Sequence, residues 1–216
     1  MMRDFGFPQI AGIRILDLAC LEGLFAIEYA RQGAITVGIE GRTANVEKAL
    51  FARDVLGLSG CTILQDDVRN LEARGLGNFD VVLCAGILYH LNAADAIELI
   101  RQIARCTNRL AIFDTHIAPD ELVVNPFSLS APVSDVAVRH ERYCGRFFQE
   151  HAPGSSPEAK ASRLWASLDN DLSFWFSKAS LDDALKNNGF TAVYDALRDI
   201  KRPVAEVDRV IFAALK

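Results

Sequence analysis

Residues 13–23 read Ile13-Arg14-Ile15-Leu16-Asp17-Leu18-Ala19-Cys20-Leu21-Glu22-Gly23, and they decide the fold. An apolar strand carries Asp17 near its end, then passes through a turn into a helix that starts near Leu24. In open α/β sheets this opening brings a ligand to the carboxyl ends of the strands. The next apolar run, Ile35-Thr36-Val37-Gly38-Ile39, closes on a second acid, Glu40. A carboxylate at the end of a second strand is placed to accept hydrogen bonds from a ribose diol. The order of these features predicts a nucleotide-like ligand.

The turn separates two such ligands. A dinucleotide needs glycines there, because the backbone must approach a pyrophosphate that sits on the helix N-terminus. Only Gly23 remains here; Ala19 and Leu21 stand where further glycines are expected, and Glu22 adds a carboxylate that repels phosphate. S-adenosylmethionine has no phosphate and carries an ammonium and a sulfonium, so these carboxylates suit it. The turn therefore favours S-adenosylmethionine over a nicotinamide dinucleotide.

Composition fits one enzyme-sized domain. Half of the 216 residues are apolar, enough to bury a sizeable core. The net charge is −5 and no dense Lys/Arg run occurs, which argues against non-specific binding to nucleic acid or an anionic membrane. The five cysteines, Cys20, Cys61, Cys84, Cys106 and Cys144, are scattered and lack CxxC spacing. They read as buried thiols, and no metal site is expected. No long apolar segment marks the N-terminus, so a cytoplasmic protein is expected.

Strand and helix patterns alternate. Short apolar runs at 13–18, 35–40, 62–65, 79–85 and 110–114 predict the buried strands of a parallel sheet. Ala96, Leu99, Ile100 and Ile103 repeat at helical spacing and predict a helix over 93–106. Thr43 reads as the cap of a helix running to about residue 56, and Ser180 as the start of another that Asn188-Gly189 stops. The tail holds two strand patterns, 190–197 and 207–215, joined by a polar stretch containing Pro203. Strands joined that way are usually antiparallel. The expected fold is thus α/β: a Rossmann-like, doubly wound sheet, mainly parallel, with an antiparallel C-terminal hairpin.

Residues 117–177 fit no repeating unit. They hold Pro119, Pro126, Pro132, Pro153 and Pro157 and many aromatics, too many for a disordered linker. An insertion after the fifth strand lies over the ligand, so this segment is expected to be a substrate cap within a single domain spanning 1–216. Trp165 and Trp175 are assigned to its core, with substrate platforms as the alternative. Arg139, Arg142 and Arg146, around His140 and Tyr143, suit an anionic substrate or an exposed face equally well.

With these residues in place, the chain resembles the class I S-adenosylmethionine-dependent methyltransferases. The run Phe79-Asp80-Val81-Val82-Leu83-Cys84-Ala85-Gly86-Ile87-Leu88-Tyr89-His90-Leu91 is similar to the branch of the tRNA wobble-uridine methyl- and carboxymethyltransferases. Asp66-Asp67-Val68-Arg69-Asn70-Leu71 precedes it and Phe113-Asp114-Thr115-His116 follows. The likeness covers residues 11–116 and the terminal hairpin, and leaves the insertion unidentified.

The resemblance implies roles position by position. Asp17 and the turn Ala19, Leu21 and Gly23 would hold the methionine end of the donor. Glu40 would bind the ribose, Gly41 and Arg42 would line the adenine side, and Asp67 would accept from the adenine amino group beside Val68. Asp66 is the competing candidate, with a helix cap as the alternative role. Ala85, Gly86 and Ile87 would line the donor, while Tyr89 and His90 would face the reaction centre. The carboxymethyl branch clamps an extra carboxylate with a tyrosine and a basic residue. Tyr89 matches the tyrosine, no basic partner is identifiable, and the ordinary methyl donor is expected.

The activity implied is methyl transfer to an oxygen or nitrogen of a small molecule or saccharide. Positioning does most of the work, and a histidine, His90 or His116, takes the acceptor's proton while Tyr89 orients the acceptor. Two other readings remain. The wobble branch suggests an RNA acceptor, against which the acidic charge stands. The lost glycines allow a non-catalytic relative that binds a partner through the insertion.

Overall fold

Strand β1 (Arg14–Leu18) sends alternate side chains to opposite faces, and each face meets a different pair of helices. Leu16 and Leu18 join the large core beneath α3 (Ala93–Cys106) and α5 (Lys178–Asn187). Ile15 and Asp17 face the other way, toward α1 (Leu24–Arg31), beyond which α2 (Thr43–Val55) packs. The computed structural model describes residues 6–119, 133–196 and 209–216.

The remaining strands are β2 (Ile35–Glu40), β3 (Cys61–Gln65), β4 (Phe79–Ala85), β5 (Thr107–His116), β6 (Val138–His140), β7 (Tyr143–Gln149), β8 (Leu172–Phe176), β9 (Ala192–Asp195) and β10 (Arg209–Leu215). A short helix, α4 (Pro157–Ser162), lies between β7 and β8. Seven strands form the main sheet in the order β3-β2-β1-β4-β5-β10-β9. Pairing is parallel from β3 to β5, and β10 runs antiparallel to both β5 and β9. The mainly parallel sheet with an antiparallel end agrees with the sequence pattern. Strand β5 is longer than its apolar run because β10 pairs with it as far as His116, opposite Arg209.

Two helix starts differ from expectation. Thr43 is the first residue of α2 rather than its cap; Arg42 holds the cap position, and the Thr43 hydroxyl accepts from Gln65 Nε2 at 2.8 Å. Helix α5 begins before Ser180, because the Ser177 hydroxyl accepts from the Ser180 N–H and caps the first turn. Residues 190–196 supply β9 and the start of the tail, whereas Leu197, Pro203 and Val207 lie outside the described residues.

The segment 117–177 builds a second, three-stranded antiparallel sheet, β6-β7-β8, on the carboxyl side of the main one. Its attachment is direct: Phe174 N–H donates to Leu91 O at 2.8 Å, and Phe174 and Phe176 enter the main core. Pro126 and Pro132 lie outside the described residues. Gly145 in β7 is closely covered by β8. A Cβ there would stand 2.2 Å from Trp175 O and 2.5 Å from the Phe174 ring. Gly145→Ala is expected to cost about 3 kcal/mol by overpacking, read as a fall in the denaturant midpoint.

Candidate active site

The strand order reverses between β1 and β4, and a crevice opens at their carboxyl ends. A cavity of about 330 Å³ lies there, walled by the ends of β2, β3 and β4, by Tyr89 and His90, and by residues 164–169 of the insertion. A second cavity of about 400 Å³ adjoins it over the turn after β1. The two share Ala19, Leu21, Ala85, Leu164 and Trp165, and their size suits a nucleoside-sized ligand.

The turn keeps a glycine-type backbone without the glycines. Ala19 and Leu21 both adopt the left-handed conformation, at φ 53° and 51°, as does Gly23 at 83°. Such a conformation costs a residue with a side chain about 1–2 kcal/mol. Hydrogen bonds hold it: Leu21 N–H donates to Glu40 Oε2 at 3.0 Å and Cys20 N–H to Ile39 O at 3.0 Å. Ala19 and Leu21 line the cleft, and Gly23 lies behind it as the residue before α1.

Asp17 is buried beneath the second cavity and accepts from the Ala26 N–H of α1 at 3.1 Å. Burial raises its carboxyl from 3.8 to about 7, against the pull of Ala26 and with the Glu40 charge adding to the rise. Glu40 is buried as well. Its Oε1 accepts from Arg42 N–H at 2.8 Å and Asn45 Nδ2 at 3.3 Å, its Oε2 from Leu21. With about four acceptor positions on a carboxylate, one on Oε2 is left for a ligand hydroxyl.

Gly41 and Arg42 line the same wall, and Arg42 reaches away from it. Its guanidinium donates to Ala161 O at 2.8 Å, Arg163 O at 3.0 Å and Ala166 O at 2.9 Å, fastening the insertion to the end of β2. Asp67 and Val68 also line the cleft. Asp67 caps the turn Val68–Asn70 and pairs with the Arg69 guanidinium at 2.5 Å, which reaches Asp169 at 2.7 Å. Asp66 is held by Arg74, Asn70 and the Asp67 N–H, and its hydrogen bond with Arg74 lowers its pKa to about 2.

Ala85, Gly86 and Ile87 form the floor where β4 ends, with Tyr89 and His90 beyond them. His90 Nδ1 lies 2.8 Å from Glu150 Oε1, a buried carboxylate that also accepts from Ser173 Oγ at 2.8 Å and Ser167 N–H at 3.1 Å. Burial opposes ionisation of Glu150, yet the bonds from His90, Ser167 and Ser173 outweigh it and hold its pKa below the usual carboxylate value. The pairing engages Nδ1 and leaves Nε2 as the second ring nitrogen of a residue that lines the cleft.

His116 is not brought into the cleft wall. It stacks on Trp175 with ring centroids 4.8 Å apart and meets Tyr89 edge-on at 4.6 Å, so it backs Tyr89. Three participants escape sequence reasoning. Glu150 comes from β7's end, Trp165 stands 82% exposed at the mouth instead of in the insertion's core, and Arg209 opens β10. Arg209 lines the cleft beside Tyr89, paired with Asp114 through Nε at 2.6 Å and Nη2 at 3.0 Å. Hydropathy pattern alone held no signal for these; Arg209 is separated from Tyr89 by most of the chain.

This sheet order, with a carboxylate-walled crevice at the switch point, defines the class I S-adenosylmethionine-binding fold. A methyltransferase-domain family matches residues 3–195, and the chain belongs to it. The N-terminal domain of EvdMO1, solved with S-adenosylhomocysteine bound, is similar over 99% of this chain and 78% of its own, at 29% identity and a TM-score of 0.73. Magnesium protoporphyrin IX methyltransferase from Synechocystis, with bound S-adenosylmethionine, shares the fold at 17% identity and a TM-score of 0.58, over 100% of this chain and 74% of its own. The ubiquinone biosynthesis O-methyltransferase of Roseobacter denitrificans is 35% identical over 109 residues, 48% of this chain and 42% of that protein. That of Psychrobacter cryohalolentis is 34% identical over 89 residues, 41% of this chain and 35% of that protein. The match thus spans roughly two fifths of these curated relatives. S-adenosylmethionine is the donor of the family. Among the described residues no helix is long and apolar enough to cross a membrane.

Two outcomes follow from the turn. Ala19→Gly relieves a left-handed alanine and is expected to stabilise the fold by about 0.5–1 kcal/mol, read as a raised denaturant midpoint. Asp17 has a raised folded-state pKa, so the native state keeps a proton the unfolded chain has released between about pH 4 and about pH 7. Stability therefore falls as pH rises through that window. Asp17→Asn should flatten the fall, and thermal melts across the window check it.

Proposed function

We propose that this chain transfers a methyl group from S-adenosylmethionine to a hydroxyl of a small molecule or saccharide, with His90 as the base. The observation that carries the reading is the His90–Glu150 pair at the cleft floor, next to Tyr89. Glu150 orients the imidazole and stabilises its protonated form, while Nε2 receives the acceptor's proton as the oxygen attacks. The donor, when bound, supplies an electrophilic methyl on a sulfonium. The chain's own part is to position the acceptor and exclude water, for which the insertion and Tyr89 serve.

The donor would lie with its methionine end at Ala19 and Leu21 and its ribose at Glu40. Asp67 and Val68 would take the adenine. The one acceptor position left on Glu40 Oε2 and the left-handed turn support this fit. Asp114 neutralises Arg209, so the cleft suits the ordinary donor rather than one bearing an extra carboxylate. Relatives that are O-methyltransferases, and a related domain crystallised in the presence of D-fucose, support a hydroxylated acceptor.

Calorimetric titration with S-adenosylmethionine, S-adenosylhomocysteine and NAD tests the donor site. Micromolar binding of the first two and none of NAD is expected, with a loss of about tenfold or more in Glu40→Gln, where an amide faces backbone N–H groups. If neither sulfur compound binds, the reading is wrong. Labelled methyl transfer to a panel of phenols, sugars and transfer RNA then identifies the acceptor. His90→Gln is expected to lower turnover by about a hundredfold or more, and Glu150→Gln to lower it less while moving the pH profile. Turnover within a few-fold of wild type in His90→Gln would place the base elsewhere.

A further inference from the structure

The chain has two tryptophans, and they sit in opposite environments. Trp175 is 2% exposed, whereas Trp165 is 82% exposed although it walls both parts of the cleft. Leu24, Phe25, Leu164 and Leu168 are exposed as well and line the same cavities, and apolar surface gathered in this way at a cavity marks a place where a ligand is covered. The other shared wall residues locate it. Ala19 and Leu21 belong to the turn after β1 and Ala85 to the end of β4, with Leu164 adjoining. Trp165 therefore stands where the two cavities meet, over the turn after β1 and the end of β4.

Its loop is anchored on both sides. Arg42 Nη2 donates to Arg163 O and Ala166 O, the carbonyls that flank Leu164 and Trp165. The backbone N–H of the same Arg42 donates to Glu40 Oε1. Arg42 thus fixes the backbone on either side of Leu164 and Trp165 relative to the carboxylate assigned to the ribose, while the exposed indole keeps room to turn.

We propose that Trp165 closes over the donor with its indole face against the positively charged sulfonium, a cation–π contact that selects the methylated donor over the spent one. This rests on the donor reading above. The attraction depends on the ring's negative face and on the cation being within about 6 Å of it. S-adenosylhomocysteine lacks the charge, so Trp165 favours loading of S-adenosylmethionine and release of its product.

The test compares affinities for S-adenosylmethionine and S-adenosylhomocysteine in wild type, Trp165→Phe and Trp165→Leu by calorimetry, each first shown to fold by a thermal melt. Leucine keeps an apolar cover without a π face. Trp165→Leu should weaken S-adenosylmethionine by about tenfold and S-adenosylhomocysteine by about twofold or less, with Trp165→Phe close to wild type. Tryptophan emission of the wild type should change on donor addition, and most of this change should be lost in Trp165→Phe, since Trp175 is buried behind Tyr89. An affinity ratio unchanged in Trp165→Leu overturns the proposal while the donor site stands. Failure of the wild type to bind either compound overturns both.

Discussion

The carboxylate of Glu40 is the constraint on which the site depends. One of its oxygens accepts from Leu21 and the other from Arg42, so it ties the turn after β1 to the start of α2. The first bond offsets the strain of a left-handed leucine where a glycine would sit without penalty. The second fixes the backbone of Arg42, whose side chain then reaches the carbonyls at 161, 163 and 166. One buried acid thereby sets the cleft-lining turn and the position of the loop that shares the cleft wall. A buried carboxylate is stable only when its acceptor positions are met, which is why it holds its neighbours so firmly.

At the other end of the cleft a second buried carboxylate does comparable work. Glu150 belongs to the inserted sheet and His90 to the segment after β4, and their contact joins the two bodies at the cleft floor. Ser167 and Ser173 occupy further acceptor positions on Glu150, so its orientation is set from three directions. Arg209 and Asp114 pair in a similar way beside Tyr89, bringing a charge to the cleft without leaving it uncompensated. The insertion therefore supplies a hydrogen-bond partner to a cleft residue as well as part of the cleft wall.

Much of the fold was legible because it rests on local periodicity. The strands through β5 follow apolar runs, and α3 follows a stripe with i, i+3, i+4 spacing. Glu40, the acid that ends β2, stood out by position and lines the cleft; so do Asp67, Ala85, Gly86 and Ile87, which the resemblance supplied, and so does Asp66, the competing candidate. Their partners were not legible. Asp67 is engaged by Arg69, two residues on, and Asp17 by the N–H of Ala26. Each is a short-range bond whose existence depends on the rotamer and the turn, which pattern does not specify. His116 looked equivalent to His90, since both follow strand ends, but packing turned one to Glu150 and the cleft and the other onto Trp175.

By itself the sequence determined the alternation of strands and helices, the carboxyl-edge position of the cleft, and a turn poor in the glycines a pyrophosphate needs. These follow from side-chain polarity at regular spacing along the chain and from the charge of Glu22 beside an acidic strand end. Only the tertiary structure decided that Ala19 and Leu21 adopt the backbone of glycines, that Glu150 is the partner of His90, and that Trp165 is exposed. Each of these joins segments distant in the chain or is held by such a contact. Long-range contacts are settled by how faces pack and buried polar groups find partners, and periodicity carries no record of that.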